Sequence, residues 1–216
     1  MTFSFANRAE AGQALVSRLG KIDPSSTVIL ALPRGGVPVA SEITRSTGAP
    51  LDLLLVRKIG APGHEELAVG AIVDGDEPEI VVNSNIAQQL GLSETDVRNM
   101  SASGLEEIER RRKIYLKGRK PLSVKGKTAI VVDDGIATGA SVRAALKALE
   151  KRAPAKIILA VPVAPADTLN TLRELTDEII CLEKPYPFYA VGAHYKDFPQ
   201  VDDQAVIASI SVSEEH

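Results

Sequence analysis

The sequence predicts an α/β fold in which an open parallel sheet is flanked by helices, and three observations carry that prediction. Short runs rich in Val, Ile and Leu alternate along the chain with amphipathic stretches, the rhythm of strands buried on both faces and joined by crossover helices. The length, 216 residues, sits near the upper end of one domain and allows roughly 70% of the unfolded surface to be buried. The single cysteine, Cys181, lies in the apolar run Ile179 to Leu182. It reads as a buried strand thiol and excludes disulfide scaffolds and Cys-rich zinc sites.

In chain order, the first element is a helix from Arg8 to Leu19, capped by Asn7 with Glu10 three residues on and closed by Gly20. Buried strands follow at Thr27 to Leu32, Asp52 to Arg57, Thr128 to Asp133, Lys156 to Val161 and Glu178 to Leu182. Ala68 to Val73 and Glu79 to Asn83 flank the turn signal Asp74, Gly75, and so predict a β-hairpin added to that sheet. Ser93 and Asp96 resemble a capping box that opens a helix running to about Tyr115, with Gly104 as its weak point. The organisation expected is a single domain over residues 1–216. Its core spans about 25–182, a helical insertion about 84–120, and a C-terminal hood about 183–216.

Charge narrows the function classes. Lys and Arg number 25 against 28 Asp and Glu, a net −3, which removes the global basic excess of a dedicated DNA-binding domain. No apolar run approaches the ~20 residues that span a bilayer. Met1 to Arg18 mixes polar residues throughout, unlike a secretory leader. A soluble cytoplasmic protein is expected. Residues 110–127 are locally basic, with Arg110, Arg111, Arg112 and Lys113 preceded by Glu106, Glu107 and Glu109. That pattern reads as a solvated helix face with opposite charges one turn apart. RNA contact is the sharper alternative, unsupported by aromatic interleaving except at Tyr115.

The most informative segment runs from Ile130 to Ser141. An apolar strand ends in Asp133 and Asp134, a small-residue loop follows, and a helical pattern begins at once. In an open α/β sheet that loop lies at the carboxyl ends of the strands, where ligands bind. Backbone N–H groups from Ala137 through Thr138, Gly139 and Ala140 to Ser141 would form a cup for a phosphate at a helix N-terminus. Thr138 and Ser141 add hydroxyl donors. The carboxylates accept only, which suits the vicinal diol of a ribose. A Walker loop is excluded because Gly139 is followed by Ala140 and Ser141 instead of Lys and a hydroxyl residue.

Earlier in the chain, Pro33, Arg34, Gly35 and Gly36 end the first strand. The glycines would free backbone N–H groups toward an anion and Arg34 would supply a planar fork for its oxygens. Arg57 and Lys58 lead into Ile59 to Glu66, whose two glycines and proline read as a mobile loop, with His64 as an exposed position in it. Of eight Phe and Tyr residues, five lie between Tyr186 and Phe198. They could form a hood that stacks on a flat base, or simply pack over the sheet edge.

The strand, two acids, short apolar pair, small residue, Thr, Gly, small residue and Ser of Ile130 to Ser141 resemble the phosphoribosyl diphosphate (PRPP) signature of the type I phosphoribosyltransferases. The resemblance covers about residues 25–200 and is closest to bacterial phosphoribosyltransferase-domain proteins without an assigned acceptor. It implies PRPP and Mg²⁺, the latter held through PRPP with no direct protein metal site, transfer to a nitrogen base, and a homodimer. It further implies that Arg34, Gly35, Gly36, Arg57 and Lys58 bind pyrophosphate, with Asp133, Asp134, Lys58 and Arg34 catalytic. In the same way the loop after Lys58 would be a lid, Phe188 and Tyr189 would contact the base, and nucleic acid and membrane would not be partners. Two departures leave the base open: Ala137 replaces the acid of oxopurine enzymes, and Ile157 to Val163 lacks their lysine. A non-catalytic PRPP or nucleotide sensor on the same fold, with or without RNA binding, is the competing reading; a hydrolase that binds a phosphosugar is a third.

Overall fold

The computed structural model describes residues 4–75, 78–117 and 119–212. The extreme ends of the expected 1–216 domain and the last residues of the 183–216 hood lie outside them. The elements run α1 (Arg8–Leu19), β1 (Thr27–Ala31), α2 (Gly36–Thr47), β2 (Leu51–Leu53), β3 (Val56–Ala61), β4 (His64–Val73) and β5 (Glu79–Val82). They continue through α3 (Ser84–Gln89), α4 (Glu94–Asn99), α5 (Ala102–Leu116), β6 (Thr128–Val132), α6 (Ala140–Glu150), β7 (Lys156–Val163), α7 (Ala166–Leu172), β8 (Glu178–Glu183) and α8 (Asp203–Val212). Five strands make one sheet in the order β2-β1-β6-β7-β8, every pair parallel.

Side-chain alternation divides each central strand between two cores. Ile29, Ala31, Ile130 and Val132 face Leu15 of α1, Val37 and Ile43 of α2 and Val206 of α8. Val28, Leu30, Ala129 and Val131 face Val142, Leu146 and Leu149 of α6 and Leu169 of α7. Both faces are therefore covered, which is why the strands read as continuous apolar runs. The expected caps are present: Asn7 accepts from Glu10 N–H at 3.0 Å, and Ser93 with Asp96 closes a reciprocal capping box. Cys181 is a buried free thiol, and burial raises it to about 11.

Three expectations about the strands and their loops are corrected. The run Asp52 to Arg57 does not form one strand: β2 ends at Leu53, buried Leu54 and Leu55 carry the chain out of the sheet, and β3 begins at Val56. The hairpin of β4 and β5 is not added to the parallel sheet, since it joins β3 in a separate antiparallel sheet of three strands. That sheet packs against α5 and α6. Ile59 to Glu66 is not an aperiodic loop, because Ile59 and Ala61 alternate into the core and only Pro62 and Gly63 turn the chain. The side chains of Glu65 and Glu66 lie outside what is described.

The long helix after Ser93 is also divided. It breaks at Met100 and Ser101, where the Ser101 hydroxyl donates to the Arg98 carbonyl at 2.6 Å and competes with the helical ladder. Gly104 lies inside α5, where an added Cβ would come 2.4 Å from Ile72 Cδ1. The basic segment behaves as a paired helix face: Arg110 and Arg111 both bond Glu107, and Lys113 lies near Glu109.

Candidate functional site

The strand order fixes where the site lies. The chain leaves β1 for β2 on one side, while β6 enters on the other, so the connections diverge between β1 and β6. Such a switch point opens a crevice at the carboxyl ends of the two strands. Ala31 pairs with Val132, and Leu32 N–H donates to the Val132 carbonyl at 2.9 Å. Pro33 to Gly36 and Asp133 to Gly139 therefore emerge side by side.

The two loops touch, and this is what the glycine pair allows. A Cβ on Gly35 would come 2.1 Å from Asp134 Oδ2, and one on Gly36 would come 2.6 Å from the Val132 carbonyl oxygen. The amides are used differently from expectation. Gly36 N–H donates to the Leu32 carbonyl at 3.0 Å and so is not turned to an anion, whereas Gly35 N–H has no partner among the described residues. The Pro33–Arg34 peptide between strand and glycines is cis.

Asp133 and Asp134 stand at the end of β6, both half-buried. Asp133 accepts from the Asp134 N–H at 2.9 Å. Asp134 Oδ2 accepts from Arg8 Nε at 2.8 Å, the Arg8 Nη1 donates to the Pro199 carbonyl at 2.8 Å, and the guanidinium lies 3.7 Å over the Phe198 ring. The Tyr195 hydroxyl donates to the Asp134 carbonyl at 2.6 Å. Burial pushes both carboxyls above the usual range, Asp133 well above it with the Asp134 charge adding to the effect, while Arg8 opposes the rise at Asp134.

Beyond the acids, Ala137 to Ser141 turn into α6. Gly139 has φ 75°, and a Cβ there would also meet Thr168 Cγ2 at 2.8 Å. The Thr168 hydroxyl donates to the Ala137 carbonyl at 2.9 Å and pins the loop from α7. The first-turn N–H groups of α6 have no intrahelical acceptor and sit at the positive end of its dipole, so the loop presents donors to an anion. Ala137, Thr138 and Ala140 are exposed and Ser141 half-buried. The predicted diol and phosphate sites thus lie on one turn.

The predicted cations separate. Arg34, with Arg8 and Asp134, lines a cavity of about 490 Å³ walled by Val191 and Phe198. Arg34 Nη1 lies 3.5 Å from Asp203 Oδ1, and Asp203 accepts from the Tyr115 hydroxyl at 2.6 Å. Arg57 and Lys58 are successive residues of a strand and face opposite ways. Arg57 pairs with Ile72, and both approach Gly104 of α5. Lys58 pairs with Ala71 and lines a different cavity, against α6. The structure therefore does not bring Arg34, Arg57 and Lys58 to one anion. Phe188 stacks on His194 with centroids 5.5 Å apart, Tyr189 is 83% exposed, and neither lines the Arg34 cavity.

The sequence reading missed Arg8 as a site residue. Its signal was present: Arg8, Ala11, Gly12 and Leu15 form the buried stripe of α1 at helical spacing, and an arginine on such a stripe must find a buried partner.

A parallel sheet with paired acids and a helix N-terminus at its switch point defines an α/β protein of the phosphoribosyltransferase type I fold. The family model for the phosphoribosyl transferase domain matches residues 7–197, and the chain belongs to that family. Two Mycobacterium tuberculosis proteins, from strains H37Rv and CDC 1551, are each 40% identical over 204 residues; their names assign them provisionally as phosphoribosyl transferases. The match covers 94% of this chain and 46% of theirs, so the chain spans about half the length of these relatives. The crystal structure of the Thermus thermophilus protein TT1426 superimposes with a TM-score of 0.82 at 37% identity, covering 95% of this chain and 97% of that one. No helix among the described residues is long and apolar enough to cross a membrane.

Proposed function

We propose that the chain transfers the phosphoribosyl group of PRPP to a nitrogen base with release of pyrophosphate. The observation that carries this reading is the turn from Asp133 to Ser141, which sets two carboxylates beside a helix N-terminus at the end of β6, with Asp134 sharing a cavity with Arg34. Membership of the phosphoribosyl transferase family supports it.

In this reading the α6 N-terminus takes the 5′-phosphate. Asp133 and the free oxygen of Asp134 accept the ribose hydroxyls, and Arg34 with the Gly35 amide faces the diphosphate. The bond from ribose C1 to the diphosphate oxygen breaks with its electron pair leaving on pyrophosphate. The base nitrogen then donates its lone pair to C1, and a proton on that nitrogen, where the base carries one, passes to solvent or to the departing pyrophosphate. No covalent nucleophile is needed: the protein positions the reactants and stabilises the charge that builds on the leaving group.

The family implies Mg²⁺. Among the described residues no cluster of three or more His, Cys, Asp or Glu side chains forms a metal cage. Two hard-oxygen carboxylates beside a diphosphate site fit a hydrated Mg²⁺ that takes most of its ligands from the substrate. When bound, Mg²⁺ would neutralise diphosphate charge. The acceptor base is undefined; Phe188 and Tyr189 fit the hood role less well than Val191 and Phe198, which wall the Arg34 cavity.

The test is pyrophosphate release from PRPP and Mg²⁺ across a panel of purines, pyrimidines and pyridine carboxylates. Turnover with at least one base, lost in Asp133→Asn with Asp134→Asn, is expected. PRPP binding with silence across the panel would favour a sensor, and no PRPP binding at millimolar concentration would sink both readings.

A further inference from the structure

We infer that Tyr195 is a positioning residue for the proposed donor site: through its bond to the Asp134 carbonyl it sets the two carboxylates against the ribose hydroxyls. The inference rests on the reading of Asp133 and Asp134 as the ribose site, and it adds to that site a hood residue that acts through them.

Tyr195 belongs to a clasp between the segment before α1 and the hood. Ser4 and Phe5 N–H donate to the His194 carbonyl at 3.0 Å, and Lys196 and Asp197 N–H donate to the Phe5 and Ala6 carbonyls at 2.9 Å. The two segments run parallel with Phe5 opposite Tyr195, and the two rings pack with centroids 5.5 Å apart. On its other side Tyr195 stacks on Phe198 at 4.8 Å, and Phe198 in turn carries the Arg8 guanidinium 3.7 Å over its ring. The clasp therefore fixes Arg8 and Tyr195 relative to each other.

Both side chains reach Asp134, one at its carboxylate and one at its backbone. Arg8 Nε donates to Asp134 Oδ2 at 2.8 Å, and the Tyr195 hydroxyl donates to the Asp134 carbonyl at 2.6 Å. That carbonyl lies past the end of β6, and no backbone N–H among the described residues donates to it. Gly135 brings no side chain that could anchor the peptide, since a Cβ there would come 2.5 Å from Val191 Cγ1 of the hood and 2.9 Å from Val163 Cγ1. On the preceding side, Asp134 N–H donates to Asp133 Oδ1 at 2.9 Å. The backbone of Asp134 thus joins the Tyr195 hydroxyl to both carboxylates, and without that hydroxyl it is free to turn and take them with it.

Packing alone does not call for the hydroxyl. Phenylalanine would fill the same space between Phe5 and Phe198. The hydroxyl is also a constant donor: Tyr195 is buried, and burial, with the Asp134 charge adding to it, pushes the hydroxyl up, so that it stays protonated through neutral pH.

The experiment is calorimetric titration of ribose 5-phosphate and 2,3-dideoxyribose 5-phosphate into the full chain. The second ligand keeps the phosphate and lacks the diol. Wild type is expected to prefer ribose 5-phosphate by about tenfold or more, as hydrogen bonds to a charged acceptor allow. In Tyr195→Phe that preference should fall to about threefold or less, with binding of the dideoxy sugar near wild type because its phosphate still meets the α6 N-terminus. Phe5→Leu loosens the ring but keeps the hydroxyl, and should give an intermediate preference. Ser93→Ala removes the cap of α4 far from the clasp; it should lower the melting temperature and leave the preference intact. Full preference in Tyr195→Phe, or in Phe5→Leu should Tyr195→Phe not fold, would overturn the inference. So would equal weakening of both ligands in Tyr195→Phe, the mark of a bond that only stabilises the fold, or an equal loss of preference in Ser93→Ala. A wild type that binds both sugars alike, or neither, sinks the ribose reading itself and this inference with it, whereas a wild-type preference that Tyr195→Phe retains sinks only the inference.

Discussion

Arg8 and Asp134 lie 126 residues apart in the chain and meet at 2.8 Å, with side chains only 10% and 13% exposed. The contact ties the first residue of α1 to the acid at the end of β6, and the Phe198 ring beneath the guanidinium brings the C-terminal segment into the same joint. A buried pair of this kind adds little net stability over an apolar replacement, yet losing one partner strands a charge in the interior.

Arg8→Ala is therefore expected to cost on the order of 3–5 kcal/mol in denaturant unfolding. Arg8→Lys should recover only part, since an ammonium cannot both bond Asp134 and stack on Phe198. Arg8 lowers a carboxyl that burial raises, so its loss moves Asp134 further up. As pH is lowered, PRPP affinity of Arg8→Ala should then begin to fall at a higher pH than that of wild type. Parallel pH profiles would show that Arg8 does not set the charge of Asp134.

Asp133→Asn should stabilise the protein while abolishing PRPP binding. Burial and the neighbouring Asp134 charge raise Asp133 well above its usual value. A group raised in the folded state contributes stability at low pH and loses it as pH rises through its folded value. Above the ordinary aspartate range burial of this carboxyl therefore costs stability that asparagine restores, and the oxygen of the amide can still accept from the Asp134 N–H. The melting temperature should rise by about 2–4 °C per kcal/mol gained, and the difference from wild type should shrink as pH falls toward 5. A variant that melts lower than wild type at pH 7 would contradict this account.

What could be read from sequence followed how local each signal is. The central strands declared themselves because both faces are buried, and the acids, Thr138 and Gly139 because strand end, loop and helix start are contiguous. The same double burial hid the end of β2: Leu54 and Leu55 are 0% and 2% exposed, so the apolar run continues unbroken through the change of sheet. The split at Ser101 depends on one side-chain hydrogen bond. The separation of Arg34 from Lys58 depends on which face of β3 meets α6, a tertiary fact that spacing does not encode.

Gly35→Ala should damage the site more than the fold. Gly35 has φ −61°, a conformation alanine adopts freely, so the cost is contact alone: the new methyl would overlap Asp134 Oδ2. Relief requires the carboxylate to swing away, which breaks its bond to Arg8. About 1–3 kcal/mol of destabilisation is expected, together with loss of most PRPP affinity by titration. Wild-type affinity in Gly35→Ala would show that Asp134 moves without consequence and does not bind the ribose.

The last prediction separates Arg34 from the group that holds it. Arg34 and Asp203 are 37% and 39% exposed at 3.5 Å, so the pair is worth no more than about 1 kcal/mol to stability. Asp203 is nonetheless well anchored: the Tyr115 hydroxyl donates to it and holds it below the usual carboxylate range, while burial and that bond push Tyr115 up to about 12. Because Asp203 is lowered, it stays ionised until pH falls below the ordinary aspartate range, and Tyr115 stays protonated through neutral pH. The tether on Arg34 should therefore be insensitive to pH between about 5 and 9. If Arg34 stabilises the charge that builds on departing pyrophosphate, Arg34→Lys should lower turnover by on the order of 10²-fold to 10³-fold with a much smaller change in PRPP affinity. Asp203→Asn keeps an acceptor for Tyr115 but releases the guanidinium, so it should leave the unfolding free energy within about 1 kcal/mol of wild type and change turnover far less than Arg34→Lys. Single-turnover pyrophosphate release, measured with saturating PRPP, distinguishes the two. Equal losses in both variants would mean that Arg34 acts through α8, and full turnover in Arg34→Lys would remove it from the leaving-group site.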